Sequence, residues 1–427
     1  MVLVYTHKIT PRLTFTVKQL FRRIMGYEVS ITDSVDVFIK HTGAKLSYAK
    51  QPLQNEFFIR ATHLLFERIL EPQDINWRSW EGTPCFFDVD ARSSIPFDIL
   101  AASFYLLSRY EEYLPHQKDE LGRFRSIESV LSDRHGAFSS PLVDLWAYRL
   151  RTLFSQHFPD EPYTERNFRF FVGIPVVQSH AYRFRGLGRH IFESFEDLFS
   201  VRFAAIIERF KVIIGISKDP YDHYLKLRGA LSKSGIETGF FFQFAPYHVR
   251  DRNISWNRIR FGHFLKHIAD YNSIGYYRSQ GAMLDTDQFK IELDRLDQLL
   301  HSNVSRAIIS QNRVLLPDIY EEMVAQEISD DYSMGYDDAV GFKSGTCTPY
   351  PFYNLGLELE QPLKIHPFIV SDAIFEIEER DEVVNKLKAI KDKVAEVSGT
   401  FYLQFNNRAI GSLGVTNFVK LINTIHG

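Results

Sequence analysis

The feature that most constrains the fold is an alternation that begins after Asn167. Short apolar runs recur at Phe168–Val177, Gly239–Phe244, Ser273–Tyr277, Arg306–Ser310, Leu363–Val370 and Thr400–Phe405. Brief runs rich in Phe, Val, Ile and Tyr read as buried strands. Amphipathic helices fall between them. In Asp287–His301 the apolar residues Phe289, Leu293, Leu296 and Leu300 lie on one face of a helical period. In Glu382–Val397 the stripe is Val383, Leu387, Ile390, Val394 and Val397, and Gly399 stands where a helix stops. A chain that repeats strand, helix, strand lays its strands parallel, because each helix carries it back to the starting edge. The expected fold class is therefore α/β, with a (β/α) barrel over residues 166–427.

With 427 residues, the chain is longer than one hydrophobic core usually serves. Its front half supplies a second, smaller α/β domain over residues 1–165. Val2–Tyr5 reads as a strand, Arg12–Met25 as a helix with Phe15, Leu20, Phe21 and Ile24 inward, and Glu28–Thr32 as a second strand. Pro96–Leu114 predicts a buried helix. Pro96 suits the first helical position, Pro115 stands past the end, and Ile99 to Leu107 is apolar all round. Pro141–Phe158 predicts another, carrying Leu142, Leu145, Trp146 and Leu150. The polar stretch Pro159–Arg166 marks the boundary between the domains.

Composition narrows the function classes. A formal charge of −3 gives no global field for nucleic acid or an anionic membrane. The two cysteines, Cys85 and Cys347, do not make a disulfide framework. The apolar run before Thr6 is too short for a signal peptide, and no window is long and apolar enough to span a membrane. The expected location is the cytoplasm. Aromatic residues make up 15%, which serves first as core filling and second as a surface on which a glycan could stack.

One stretch fits neither period. Asp330–Tyr353 is broken by Gly335, Gly341, Gly345, Pro349 and Pro351, yet carries Tyr332, Tyr336, Phe342, Tyr350, Phe352 and Tyr353. Linkers are poor in aromatics, so this reads as an ordered loop that walls a binding site or plugs one end of a barrel. Other candidates are weaker. His263 and His267 have helical zinc-ligand spacing without the Glu that such a motif needs, and read as a solvated helix face. Asp88 and Asp90 lie in the front domain and read as a turn. Cys347 has no visible His or Asp partner and reads as packing. Arg183, Arg185, Arg189 and His190, beside Glu193 and Glu196, read as a solvated helix start.

The words Asp-Asp-Tyr-Ser-Met-Gly-Tyr (330–336), Val-Gly-Phe (340–342), Gly-Thr-Cys-Thr-Pro (345–349) and Leu-Lys-Ile-His-Pro-Phe (363–368) resemble a subfamily of the polysaccharide deacetylases, the NodB-homology or carbohydrate esterase family 4 type. The front of the chain, at 96–115 and 143–148, resembles the uncharacterised domain that precedes the barrel in that subfamily. The resemblance implies a deacetylase-type barrel and a metal-dependent hydrolysis of N-acetyl groups on sugars. An Asp base, metal-holding Asp and His residues and a late acid His carry that reaction.

The matching positions here read differently. The Asp-x-Asp pair falls on Pro175 and Val177, and the metal His on Tyr277, with Gly281 at the next ligand spacing. The Arg and His after the fourth strand fall on Gln311 and Arg313, and the acid His on Asn406. No metal is expected, because the ligands are not retained. The leading expectation is a catalytically inactive homologue that binds a glycan or a glycan-pathway protein. Its pocket remnant would comprise Asp330, Asp331, Tyr332, Tyr336, Phe342, Lys364 and His366. Two alternatives stand beside it. One is an active deacetylase or other hydrolase with relocated ligands drawn from His180, Asp331 and His366. The other is a pure protein-interaction module.

Overall fold

Residues 2–6 enter the core at once as β1 (Val2–Thr6), with all five residues buried. The computed structural model describes residues 1–427 apart from 133–135, 200, 202, 247–250 and 252–253, and apart from the side chains of 187, 189, 193, 196, 197 and 205. Contacts gather the chain into two compact units. The first joins Met1–Arg169 to Asn312–Tyr402, and the second joins Phe170–Gln311 to Leu403–Gly427. Both are α/β. No helix among the described residues is long and apolar enough to cross a membrane.

In the first unit, α1 (Pro11–Val17) starts where Thr10 accepts a hydrogen bond from the Leu13 amide, with Pro11 at its opening turn. It continues as a π-helical segment, Lys18–Ile24, and β2 (Val29–Thr32) returns parallel to β1. This is the β-α-β opening that the sequence predicts. After α2 (Val35–Lys40), β3 (Lys45–Ala49) and β4 (Phe57–Arg60) complete a four-stranded parallel sheet in the order β2-β1-β3-β4. A short hairpin, β5 (Arg78–Trp80) and β6 (Thr83–Cys85), precedes α3 (Ile99–Leu107) and α4 (Leu142–His157). Helix α3 is buried on every side, as its apolar run predicts. Its ends differ from expectation. Pro96–Asp98 is extended, bridging to 87–89, so the helix begins at Ile99, where the Asp98 carboxylate accepts from the Ala101 amide. It stops at Leu107 because Arg109 takes a left-handed conformation, φ 53°.

The second unit contains β7 (Arg169–Val176), α5 (Leu187–Phe199), α6 (Phe203–Ile213), α7 (Tyr224–Ser232), β8 (Glu237–Phe242), α8 (Ile259–Ala269), β9 (Ile274–Arg278), α9 (Thr286–Leu300) and β10 (Arg306–Ile309). Strands β7, β8, β9 and β10 are successive parallel neighbours. Gly275 is required by close packing, since a Cβ there would sit 2.3 Å from the Phe241 ring. Helix α9 buries Phe289, Leu293 and Leu296 as predicted. It also buries Glu292, which accepts from Tyr276 at 2.7 Å and Ser279 at 2.8 Å.

The chain then returns to the first unit through α10 (Asp318–Ala325), β11 (Asp330–Asp331), β12 (Tyr350–Asn354), β13 (Leu359–Ile365), β14 (Val370–Ser371) and α11 (Arg380–Glu396), and β15 (Thr400–Gln404) begins in the first unit and passes into the second after Tyr402. Strand β11 runs parallel to β13, with Asp330 opposite Lys364 and Asp331 opposite Ile365. Strand β12 pairs antiparallel with β13, so the aromatic stretch ends in a strand that its prolines conceal in the sequence. Helices α12 (Asn407–Leu413) and α13 (Val415–His426) close the chain in the second unit.

Candidate functional site

Strand alternation places Asp330, Tyr332, Lys364 and His366 on one face of the β11–β13 pair, and Asp331, Ser333, Leu363 and Ile365 on the other. On the first face, His366 Nε2 lies 2.7 Å from Asp330 Oδ1. Ser329 Oγ donates to the other Asp330 oxygen at 2.6 Å. The Tyr332 ring stacks on the His366 imidazole at 4.2 Å and 8°. Asp330 and His366 keep 20% and 16% of their side-chain surface, and Lys364 is exposed. Burial alone would raise the Asp330 carboxyl. The bonds from His366 and Ser329 outweigh it and bring the group down to about 2. The result is a fixed anionic carboxylate orienting an imidazole, with a stacked ring and an ammonium beside it. This set can exchange a proton or hydrogen-bond a polyol.

The opposite face is dry. Asp331 is fully buried, and its Oδ2 accepts from Tyr320 at 2.6 Å and from the Ser333 amide at 3.1 Å. Burial raises it to about 6 against those hydrogen bonds and the charge of Lys343. Tyr336 and Phe342 are also buried. Tyr336 stacks on Phe138 at 5.3 Å and takes a hydrogen bond from Arg109 Nη2 at 3.3 Å, while the Phe342 amide donates to the Phe138 carbonyl at 2.9 Å. The expectation of a pocket lip thus divides. Asp330, Tyr332, Lys364 and His366 come together, whereas Asp331, Tyr336 and Phe342 are packing residues turned away from that face.

The loop is ordered by groups far from it in sequence. Buried Arg109 lies 2.9 Å from Glu111 and 2.8 Å from Glu112, and it donates to the Lys343 carbonyl. Lys343 Nζ lies 3.2 Å from Glu112. Buried Asp144 accepts from Thr346 Oγ1 at 2.6 Å, the Cys347 amide at 3.0 Å and Thr348 Oγ1. Arg109 and Asp144 satisfy the carbonyl, amide and hydroxyl groups that a loop without a ladder would leave unpaired. Sequence reading missed this network, although Arg109, Glu111 and Glu112 stand together just past an all-apolar helix, where charge is out of place.

The positions matched to the deacetylase chemistry have other occupations. Pro175 is buried in β7, with Val177 just beyond it. Tyr277 donates to Ser310 Oγ at 3.3 Å and accepts from the Gln311 amide at 3.3 Å. Its neighbours face α9: Tyr276 bonds Glu292, and Arg278 lies over the Phe289 ring at 4.1 Å. The Asn406 side chain accepts from the Arg408 and Ala409 amides and caps α12. Arg313 belongs to the first unit and is partly buried. Proline and valine hold no metal, and the Asn406 oxygen is committed to a helix cap. This donor set does not fit the divalent ion that the resemblance implies.

The proposed substitutes fare no better. His180 is buried between Phe184 and Phe264, each at 4.6 Å, and neither ring nitrogen has a hydrogen-bond partner. Burial pulls it down to about 4, against the pull of Asp219 and Asp222. Asp331 and His366 project to opposite faces, so one ion cannot take both. Among the described residues, no group of three or more His, Cys, Asp or Glu is placed to hold a metal. His263 and His267 are exposed on α8. Asp88 and Asp90 pair with Arg78 and Arg92 at 3.3 and 3.1 Å. Cys347 is buried and its thiol is pushed up by that burial. Arg183 pairs with Asp222 at 3.1 Å, and Arg185 donates to the His180 carbonyl at 3.2 Å. The side chains of Arg189, Glu193 and Glu196 lie outside the described residues.

Residues 2–159 match a family described only as one of unknown function, DUF7033. No curated protein matches the chain. Among solved structures it is similar to a Mycobacterium smegmatis protein assigned provisionally to the polysaccharide deacetylases. That likeness has 11% identity, covers 62% of this chain and 86% of the other, and has a TM-score of 0.38. It is similar to Puue allantoinase at 13% identity, with 60% and 84% covered and a TM-score of 0.37. A Pseudomonas aeruginosa PAO1 protein, also assigned provisionally as a polysaccharide deacetylase, gives 12% identity, 60% and 83% covered, and a TM-score of 0.34. At these scores the likenesses carry no argument about this chain.

Proposed function

We propose that this chain is a non-hydrolytic relative of the polysaccharide deacetylases that binds a glycan at the Asp330–Tyr332–Lys364–His366 face. The observation that carries the reading is the pairing of a partly buried carboxylate and imidazole at 2.7 Å, backed by a stacked tyrosine, on a chain whose matched catalytic positions are Pro175, Val177, Tyr277 and Asn406. The Asp330 carboxylate keeps acceptor lone pairs beyond those that His366 and Ser329 use, and Lys364 adds a donor beside it. The DUF7033-type segment and residues 312–402 form one compact unit, so the face is held by the whole of that unit.

The test uses N-acetylated chito-oligosaccharides with the full chain. Titration calorimetry is expected to show binding that His366→Ala weakens by roughly 10–100-fold, the worth of one hydrogen bond to a charged group. Metal analysis and acetate release run in parallel. Stoichiometric, tightly bound zinc together with acetate release would overturn the reading.

A second reading is favoured by the same 2.7 Å pair. Asp330, held anionic, would keep His366 in the tautomer of a general base, and the chain would be a metal-independent hydrolase. Acetate release that persists in chelator and disappears in His366→Ala would select it.

A further inference from the structure

We infer that residues 180–185, just past the carboxyl end of β7, form an acid-operated latch, closed while His180 is neutral and opened when a proton on the imidazole draws the ring out to Asp222. The root of the segment is fixed. The Gln178 carbonyl accepts from Asn407 Nδ2 at 2.7 Å, and the Ser179 carbonyl accepts from the Tyr224 hydroxyl at 2.6 Å. The tip hangs on one group. The buried Asp219 carboxylate accepts from the amides of Ala181, Tyr182 and Arg183 at 2.8, 2.8 and 2.9 Å. Between root and tip, His180 is fully buried, lies between Phe184 and Phe264 at 4.6 Å each, and has no hydrogen-bond partner on either nitrogen. Two features make this closed form costly. One is a buried polar ring without a hydrogen bond. The other is Phe184 at φ 64°, where a residue of its size is rare. Both are relieved when the segment swings out.

The groups around the ring set the direction. Arg183 and Arg185 act on it from its own segment, Asp219 and Asp222 from the turn before α7, and Tyr224 stands on α7. Helix α8 contributes the apolar Phe264, with Arg258 at its start beside Gly186. Both Asp219 oxygens are already filled, Oδ1 by the Ala181 and Tyr221 amides and Oδ2 by those of Tyr182 and Arg183. Asp222 is the carboxylate that remains. Its Oδ2 lies 3.9 Å from His180 Nε2, outside hydrogen-bond reach, and it is partly exposed and held by Arg183 at 3.1 Å. Burial keeps His180 at about 4 in the closed segment, against 6.5 in an open one. Between those values the open segment binds a proton that the closed segment refuses, so opening is favoured as pH falls. Sites on parallel sheets gather at the carboxyl ends of the strands, so the latch governs access to that end of β7.

Hydrogen exchange of the full chain tests this, read by mass spectrometry and corrected for the intrinsic pH dependence of amide exchange. The amides of Ala181, Tyr182 and Arg183 report the latch, and those of β8, paired on both sides, report the unit as a whole. In wild type the latch amides are expected to open at least about thirtyfold more often at pH 5 than at pH 7.5, while β8 keeps its protection. His180→Phe fills the same cage with a ring that cannot titrate, and is expected to abolish most of that rise. Circular dichroism checks that this variant is folded. If it is not, Asp222→Asn takes its place, and a smaller ratio of opening between the two pH values is the expected result. A rise that either variant keeps in full overturns the inference, because Asp219 rather than His180 would then be the sensor. So does a rise that β8 shares equally, which would be unfolding of the unit, and so does exchange in wild type that does not change with pH.

Discussion

Asp331→Asn removes one ionisable carboxyl from a place that water does not reach. In the folded chain, burial moves this group from 3.8 to about 6. A tenfold change in proton affinity is worth ~1.4 kcal/mol, so the site disfavours the charged form by about 3 kcal/mol. Below about pH 4 the carboxyl holds its proton in folded and unfolded chains alike, and it contributes no slope. Between about pH 4 and pH 6 the unfolded chain has released the proton and the folded chain has not, so stability falls as pH rises. Above that window the full penalty applies. Carboxyls held low by their partners, such as Asp330 and Glu112, act in the opposite sense at lower pH, and they are common to both proteins. The difference between variant and wild type therefore isolates Asp331. Urea unfolding reads it through fluorescence, because Trp77, Trp80 and Trp146 lie in the first unit. The variant is expected to gain about 3 kcal/mol on wild type between pH 4 and pH 7. A constant offset of about 1–3 kcal/mol for the unpartnered amide is added at every pH. A difference that stays flat across the window would refute the burial of Asp331 and, with it, the division of the loop into a wet and a dry face.

Two further substitutions test how the loop is held. Asp144→Ala leaves Thr346, Thr348 and the Cys347 amide without their acceptor, and Arg166 without the carboxylate 3.5 Å away. The expected loss is about 3–5 kcal/mol, read as a lower urea midpoint at unchanged slope. Gly335→Ala would place a Cβ 2.4 Å from the buried Phe368 ring and is expected to cost about 1–3 kcal/mol in the same assay.

Much of this architecture was legible in the residues. The stripes of α9 and α11 and the strand positions of β7 to β10 follow from period alone, because a helix or strand that buries one face must repeat its apolar residues at that spacing. What period cannot show is a charge that the fold needs inside. Glu292 interrupts nothing in the α9 pattern, yet it is buried to receive Tyr276 and Ser279. Arg109 ends α3 early because its side chain is required by Lys343 and Tyr336, partners more than 200 residues away. The site was half legible. Lys364 and His366, two apart on a strand, had to share a face. Asp330 and Asp331, one apart, had to part company, but only the register with β13 says which of them stays wet.

The Arg109–Lys343 contact has a consequence for how the chain is made. Its partners are 234 residues apart, and Arg12 meets Glu358 across 346. At about 5–20 residues per second, a ribosome finishes Arg109 roughly 10–50 s before Lys343 exists. For that interval the Arg109 guanidinium has its near neighbours Glu111 and Glu112 but not Lys343 or Tyr336, and the Asp144 carboxylate lacks the Thr346, Cys347 and Thr348 groups that it receives in the folded chain. The first unit therefore cannot settle as its front half emerges, and its assembly waits for the returning segment from Asn312 onward.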